Sequence, residues 1–342
     1  MKLKKFLEKY DTVIFDMDGV ITSEQNYWNC AALTVWEYLN LNSGRKINAA
    51  ECMENLGKIR RKVFCGDELI SVLKRKGVNS NWDLGYLTVC ITWICCGRHD
   101  WQEFEGVMEY ARSLSDNIIE LYDHIAMECS FATGFDYEWL RRNGLMWQTM
   151  QRIFQEWFLG DELFKRNYGY EPMNSGKSGL LFKEEPIVNK EKLRETLRLL
   201  SEGRRVCTGT GRPYIEMIQP LKDWDVLKYF SANGLANYDH VAAAEKRLRN
   251  NALTKPNPYM FLKALYGTDY DDKRLIDGDY DKSGIEKTLV VGDAGADMLA
   301  ARAMGADFCA VLTGIQGENG RAYFEENNAE YILLSVIDFL ED

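Results

Sequence analysis

A short apolar strand, Val13-Ile14-Phe15, runs into Asp16-Met17-Asp18-Gly19, and the next strand of the same kind, Val206-Cys207-Thr208, comes only after a long helical excursion. Residues i and i+2 of a strand lie on one side. Asp16 and Asp18 therefore converge on a small volume just beyond the strand end, where crowded like charges are costly unless a cation joins them. A lone strand, a long excursion and a return to strand-helix units mean that one domain is inserted into another. The expected division is a core of residues 1–22 and 186–342, interrupted by a domain of residues 23–185.

From 186 onward, strand and helix signals alternate as a parallel sheet with crossover helices requires. The segment 190–202 places Leu193, Leu197 and Leu200 on one helix face. The runs 206–208, 288–292, 308–312 and 331–334 read as strands, and 297–304 as an Ala-rich helix stopped by Gly305. These strands are apolar without alternation, the pattern of a sheet covered on both faces. The expected fold class is α/β, a Rossmann-like parallel sheet core with a large inserted α-helical domain. Residues 23–185 are amphipathic in 31–39 and 147–159 and hold eight of the nine tryptophans, enough aromatic bulk for a core of their own. The polar stretch 173–179 is the expected return linker.

Three further segments supply what the paired carboxylates need. Thr208-Gly209-Thr210-Gly211-Arg212-Pro213 offers a hydroxyl and backbone N–H groups to phosphate oxygens. Thr254-Lys255-Pro256-Asn257-Pro258 sets a lysine ahead of a helix start. Val290-Val291-Gly292-Asp293 ends a strand in a carboxylate, with Asp297 four residues on.

These four segments, in this order, resemble the motifs of the haloacid dehalogenase (HAD) superfamily of phosphohydrolases. The resemblance covers residues 1 to about 22 and about 186 to 342. It implies that Asp16 is the nucleophile forming an aspartyl phosphate, and that Asp18 is general acid and then general base. It implies that Gly19, Thr208, Gly209 and Lys255 bind the phosphoryl group, Lys255 also offsetting charge. Mg²⁺ is the implied cofactor, with Asp16, the Asp18 carbonyl and Asp293 as ligands and Asp297 as ligand or neighbour to them. The inserted domain is the implied cap, a lid at the carboxyl ends of the strands.

Asp18 favours phosphate chemistry, because the dehalogenase and phosphonatase branches lack an acid at that place. Asp18-Gly19-Val20-Ile21-Thr22 resembles the opening of β-phosphoglucomutases, which continue to Tyr-His; here Tyr27 is followed by Trp28. The expected activity is that of a Mg²⁺-dependent phosphatase, a phosphoric monoester hydrolase acting on a small phosphorylated metabolite. A sugar phosphomutase and a non-catalytic binding or regulatory protein are the alternatives. Glu24, Asn26, Tyr27 and Trp28 either reach substrate or pack in the core of the helical domain.

Composition narrows the partners. A net charge of −10 is unlike the basic footprint of a nucleic-acid binder. The clusters Lys58 to Lys62 and Lys74 to Lys76 read as solvated helix faces, or as attraction for an anionic substrate. No apolar run approaches the roughly 20 residues of a membrane span. Nine scattered cysteines without a CxxC pair fit reduced thiols and a cytoplasmic location, and Cys95-Cys96 with His99 lacks the four-ligand spacing of a zinc site. Gly176-Lys177-Ser178 is no P-loop, since Glu171 stands where its first glycine belongs. His99, His124 and His240 read as surface or packing residues. Oligomeric state is open.

Overall fold

The computed structural model describes residues 2–78, 80–249 and 252–341. The chain divides into two compact units, one of Met1–Glu24 with Glu184–Asp342 and one of Gln25–Lys183.

The first unit is built on a six-stranded parallel sheet: β1 (Thr12–Phe15), β2 (Arg205–Gly209), β3 (Leu235–Ala236), β4 (Thr288–Gly292), β5 (Asp307–Val311) and β6 (Tyr331–Leu333), in the order β3-β2-β1-β4-β5-β6. The short β3 follows Gly234 and carries too few apolar residues to announce itself in the sequence. The central strand, β1, is the earliest in the chain, with Phe15 in register with Thr208 on one side and with Val291 on the other. The ends of β1, β2 and β4 therefore lie side by side. That placement brings together segments from the beginning, middle and end of the chain.

Side chains alternate between the two faces. Val13, Phe15, Val206 and Val291 pack with Leu193, Leu197, Leu200 and Met217, from the helices Lys190–Ser201 and Tyr214–Asp223. Ile14, Cys207 and Val290 pack with Met260, Phe261, Met298 and Ala301, from the helices Tyr259–Tyr266 and Gly295–Met304. With both faces covered, these strands have no polar alternation to show.

The second unit is helical throughout its regular structure among the described residues, from Gln25–Asn42 to Leu145–Tyr168. Two residues beyond the DxDG run lie in its core. Tyr27 is buried and stacks on Phe158 at 4.5 Å, and Trp28 is buried beneath the Arg60 guanidinium, 5.3 Å from its ring. The stretch 173–179 is not the linker its polarity suggested. Asp161 accepts from the N–H groups of Gly176 (2.6 Å) and Lys177 (3.2 Å), and the Lys177 ammonium is buried between Glu156 (2.6 Å) and Glu37 (3.0 Å). Lys177 is drawn into the unit while Ser175, Gly176 and Ser178 stay exposed, a difference that composition cannot reveal. No helix among the described residues is long and apolar enough to cross a membrane.

Candidate active site

Asp16 is the first residue past β1, and its backbone N–H donates to the Val291 carbonyl at 2.9 Å. Pairing thus continues one step beyond the strand and fixes where the carboxylate begins. Lys255 reaches it from the loop before the helix Tyr259–Tyr266, with Nζ 2.9 Å from Asp16 Oδ1 and 2.8 Å from Asp297 Oδ1. The centroid of the Phe261 ring lies 4.8 Å from that ammonium, within the range of a cation–π contact. Asp297 is buried in the first turn of the helix Gly295–Met304, where its Oδ2 also accepts from the Ala294 N–H (3.3 Å). Both oxygens of Asp297 are thereby engaged, one of them with Lys255.

Asp293 sits between two glycines. A Cβ on Gly19 would lie 2.3 Å from its Oδ2, and one on Gly314 only 1.7 Å from the same atom. Gly19 also has φ +75°, which other residues rarely adopt. The Thr313 hydroxyl donates to the Gly19 carbonyl (2.5 Å) and ties the two loops around the carboxylate.

Carboxylate oxygens of Asp16, Asp293 and Asp297 all lie within 4.8 Å of one another. Burial, with Asp297 and Asp18 adding to it against the opposing pull of Lys255, pushes the Asp16 carboxyl up to about 7. Asp293 stands well above the usual carboxylate range because of burial, then Asp297, Asp16 and Glu24. Burial works against the Lys255 ammonium, but Asp16 and Asp297 outweigh it and hold its pKa above that of an ordinary lysine. One ammonium thus pairs with two of three close carboxylates, and the third, Asp293, has no hydrogen-bond donor or ion-pair partner among the described residues. The excess of negative oxygen fits a small hard cation.

Asp18 follows a different course. Its carboxylate accepts from Arg212 Nη2 (2.6 Å) and Nε (3.1 Å), and from the Thr22 hydroxyl (3.0 Å). Arg212 is buried and also pairs with Glu184, Nη1 to Oε2 at 2.7 Å and Nη2 to Oε1 at 2.9 Å. Neither Arg212 nor Glu184 was among the expected site residues. The available signal was the arginine of Thr210-Gly211-Arg212-Pro213, fixed between a glycine and a helix start.

Thr208 lies apart from the charged cluster. Its side chain shares the face of Phe15 and Val206, is fully buried, and its hydroxyl lies 3.2 Å from Met217 Sδ. The strand pleat turns that hydroxyl toward a covering helix and away from the charged cluster. Gly209 is where the chain needs glycine: a Cβ there would meet the Phe261 ring at 2.5 Å, so the missing side chain admits the ring on which Lys255 rests. Thr210, past the strand end, is also fully buried and accepts from the Arg212 N–H (3.2 Å). The sequence-derived residues that meet are Asp16, Lys255, Asp293, Asp297 and, against Asp293, Gly19.

A family model described as HAD-hydrolase-like matches residues 252–338. No curated protein matches the chain. Among solved structures, a Northeast Structural Genomics Consortium target is similar with 25% identity and a TM-score of 0.80, over 95% of this chain and 96% of that one. Phosphatase Tt82 from Thermococcus thioreducens is similar at 20% identity, a TM-score of 0.46, and coverage of 87% and 90%. A HAD-superfamily hydrolase of subfamily IA from Geobacter sulfurreducens PCA is similar at 16% identity, a TM-score of 0.39, and coverage of 96% and 94%. The last two scores are too low to bear on the assignment. The family match spans the lysine and the second acidic pair, and the parallel sheet sets the DxDG strand beside them: over residues 252–338 the chain is similar to the HAD-like hydrolases.

Proposed function

We propose that the protein is a Mg²⁺-dependent phosphatase that hydrolyses a small phosphorylated metabolite through an aspartyl phosphate on Asp16. The observation carrying this reading is the Asp16 carboxylate, held 2.9 Å from Lys255 and within 4.8 Å of Asp293 and Asp297. A carboxylate so placed is kept in one orientation and has its charge partly offset, as a nucleophile toward a phosphate ester must.

In the first half-reaction an Asp16 oxygen bonds to phosphorus as the bond to the ester oxygen breaks, and Asp18 gives that leaving oxygen a proton. In the second, Asp18 takes a proton from water, whose oxygen attacks phosphorus, releasing inorganic phosphate and restoring Asp16. Lys255 offsets the charge that the three phosphoryl oxygens spread in the transition state. The residues to hold Mg²⁺ are Asp16 and Asp293 with the Asp18 backbone carbonyl, and Asp297 fixes Lys255 beside them. When bound, the ion supplies positive charge that lets an anionic nucleophile approach an anionic phosphoryl group. With the Thr208 hydroxyl turned away, the phosphoryl oxygens fall to backbone N–H groups of the loops after β1 and β2.

The inserted helical unit is read as the cap that sets substrate choice, and the location as cytoplasmic. Trp28 stands where β-phosphoglucomutases carry histidine. It is buried and lacks that basic nitrogen, which favours water over a sugar phosphate as acceptor. The test is a panel of phosphate esters and pyrophosphate assayed with Mg²⁺, repeated with excess EDTA and with Asp16→Asn. The expected result is Mg²⁺-dependent phosphate release that the substitution abolishes while the fold persists. Turnover surviving Asp16→Asn, or full activity in EDTA, refutes the reading; metal and ligand binding without release would instead indicate a non-catalytic binding protein.

A further inference from the structure

The Arg212 guanidinium is 1% exposed and shared by two carboxylates. Asp18 accepts from Nε through both oxygens (3.1 Å each) and from Nη2 at 2.6 Å; Glu184 takes Nη1 and Nη2 at 2.7 and 2.9 Å; the Glu216 carbonyl takes Nη1 at 3.1 Å. Glu184 is itself 3% exposed, whereas Asp18 remains 26% exposed. Both stretches around this pair are tied to each other. Thr22, which donates to Asp18, is bridged to Pro186, and the Ile187 N–H donates to the Ile21 carbonyl at 2.9 Å. Glu184 is the residue at which the chain re-enters the catalytic unit.

The two carboxylates differ in what they can do. Glu184 is enclosed and has no work in phosphoryl transfer, while Asp18 must turn to the ester oxygen. A buried guanidinium whose only counter-charge left would be stranded, and such uncompensated burial is strongly unfavourable. Glu184 removes that obstacle, because Arg212 keeps a bidentate partner when Asp18 departs.

We propose that Arg212 and Glu184 are positioning residues for Asp18: Arg212 parks the Asp18 carboxylate at the base of the loop, and Glu184 holds Arg212 when Asp18 leaves it, takes up a proton from water and turns to the leaving oxygen. This rests on the phosphatase reading above. The role concerns only proton delivery, so it is legible in leaving-group dependence. p-Nitrophenolate departs without an acid, whereas an alkoxide needs one, and a general acid contributes roughly 10²–10⁴-fold.

The experiment measures kcat on p-nitrophenyl phosphate and on ethyl phosphate for the unaltered protein, Asp18→Asn, Glu184→Gln and Arg212→Ala. Asp18→Asn sets the maximal separation of the two rates. Glu184→Gln, nearly isosteric, is expected to lower the ethyl phosphate rate at least tenfold and the p-nitrophenyl phosphate rate less than threefold. Arg212→Ala is expected to do the same and to recover ethyl phosphate turnover when guanidinium is added. Should Arg212→Ala fail to fold, Glu184→Gln carries the test alone. Equal losses on both esters, or unchanged rates in Glu184→Gln, overturn the proposal while leaving the phosphatase reading in place. No turnover of either ester by the unaltered protein refutes that reading and this inference with it.

Discussion

Gly314→Ala tests the site at the point where its geometry is tightest. The added Cβ would lie 1.7 Å from Asp293 Oδ2, 2.6 Å from its Cγ and 2.8 Å from its Cβ, where ordinary contact begins at 3.4 Å. Rotating the carboxylate cannot relieve a clash that includes the Asp293 Cβ, and β4 behind it is paired on both sides. The carboxylate must therefore retreat by more than an ångström. A misplacement of about 1 Å at a reacting centre costs on the order of 10²-fold, or about 2.7 kcal/mol of transition-state stabilisation. Fold stability should change little, because Asp293 is an under-compensated charge whose displacement relieves repulsion from Asp16 and Asp297. The assay is kcat/KM for p-nitrophenyl phosphate across a Mg²⁺ titration, with the thermal midpoint measured alongside. The expected outcome is a loss of about a hundredfold, a higher Mg²⁺ requirement and a near-normal midpoint. Normal activity at the normal Mg²⁺ requirement would refute the placement of Asp293 in the metal site.

Three other outcomes are expected. Mg²⁺ should raise the thermal midpoint of the unaltered protein, by the equivalent of about 2.7 kcal/mol at a hundred times its dissociation constant; calorimetry showing the same rise in Asp293→Asn would exclude Asp293 as a ligand. Lys255→Met leaves Asp16 and Asp297 facing each other without their shared cation, so metal-free protein should lose about 3–5 kcal/mol in urea unfolding; an unshifted midpoint would show that the pair does not matter to stability. Lys177→Met strips the cation from Glu37 and Glu156 in the helical unit, all three side chains being fully buried. A loss of similar size, about 3–5 kcal/mol, is expected in denaturant, and a stability within experimental error of the unaltered protein would count against the buried triad.

Much of the candidate site is legible in the chain because each motif is local. Asp16 and Asp293 end apolar strands, Gly19 turns the chain at φ +75°, and Lys255 precedes a helix start; strand, turn and cap preferences act over a few residues and leave a trace in the chain. The order of the motifs and the lone first strand likewise carried the sheet's parallel character, because strands buried on both faces must be apolar throughout.

Side-chain direction and partnership were decided elsewhere. Thr208 looked like a phosphate ligand, but whether its hydroxyl meets the site or Met217 depends on the register of β2 against β1. The stretch 173–179 looked like a linker, but Asp161, Glu156 and Glu37 turn it inward. The Arg212 link joins Asp18 across 194 positions and Glu184 across 28. The chain alone set which chemistry could occur at each strand end, since that follows from residue type and local conformation. Tertiary packing alone chose which charges share a cation, since an ion pair depends on separation in space and leaves no periodicity in the sequence.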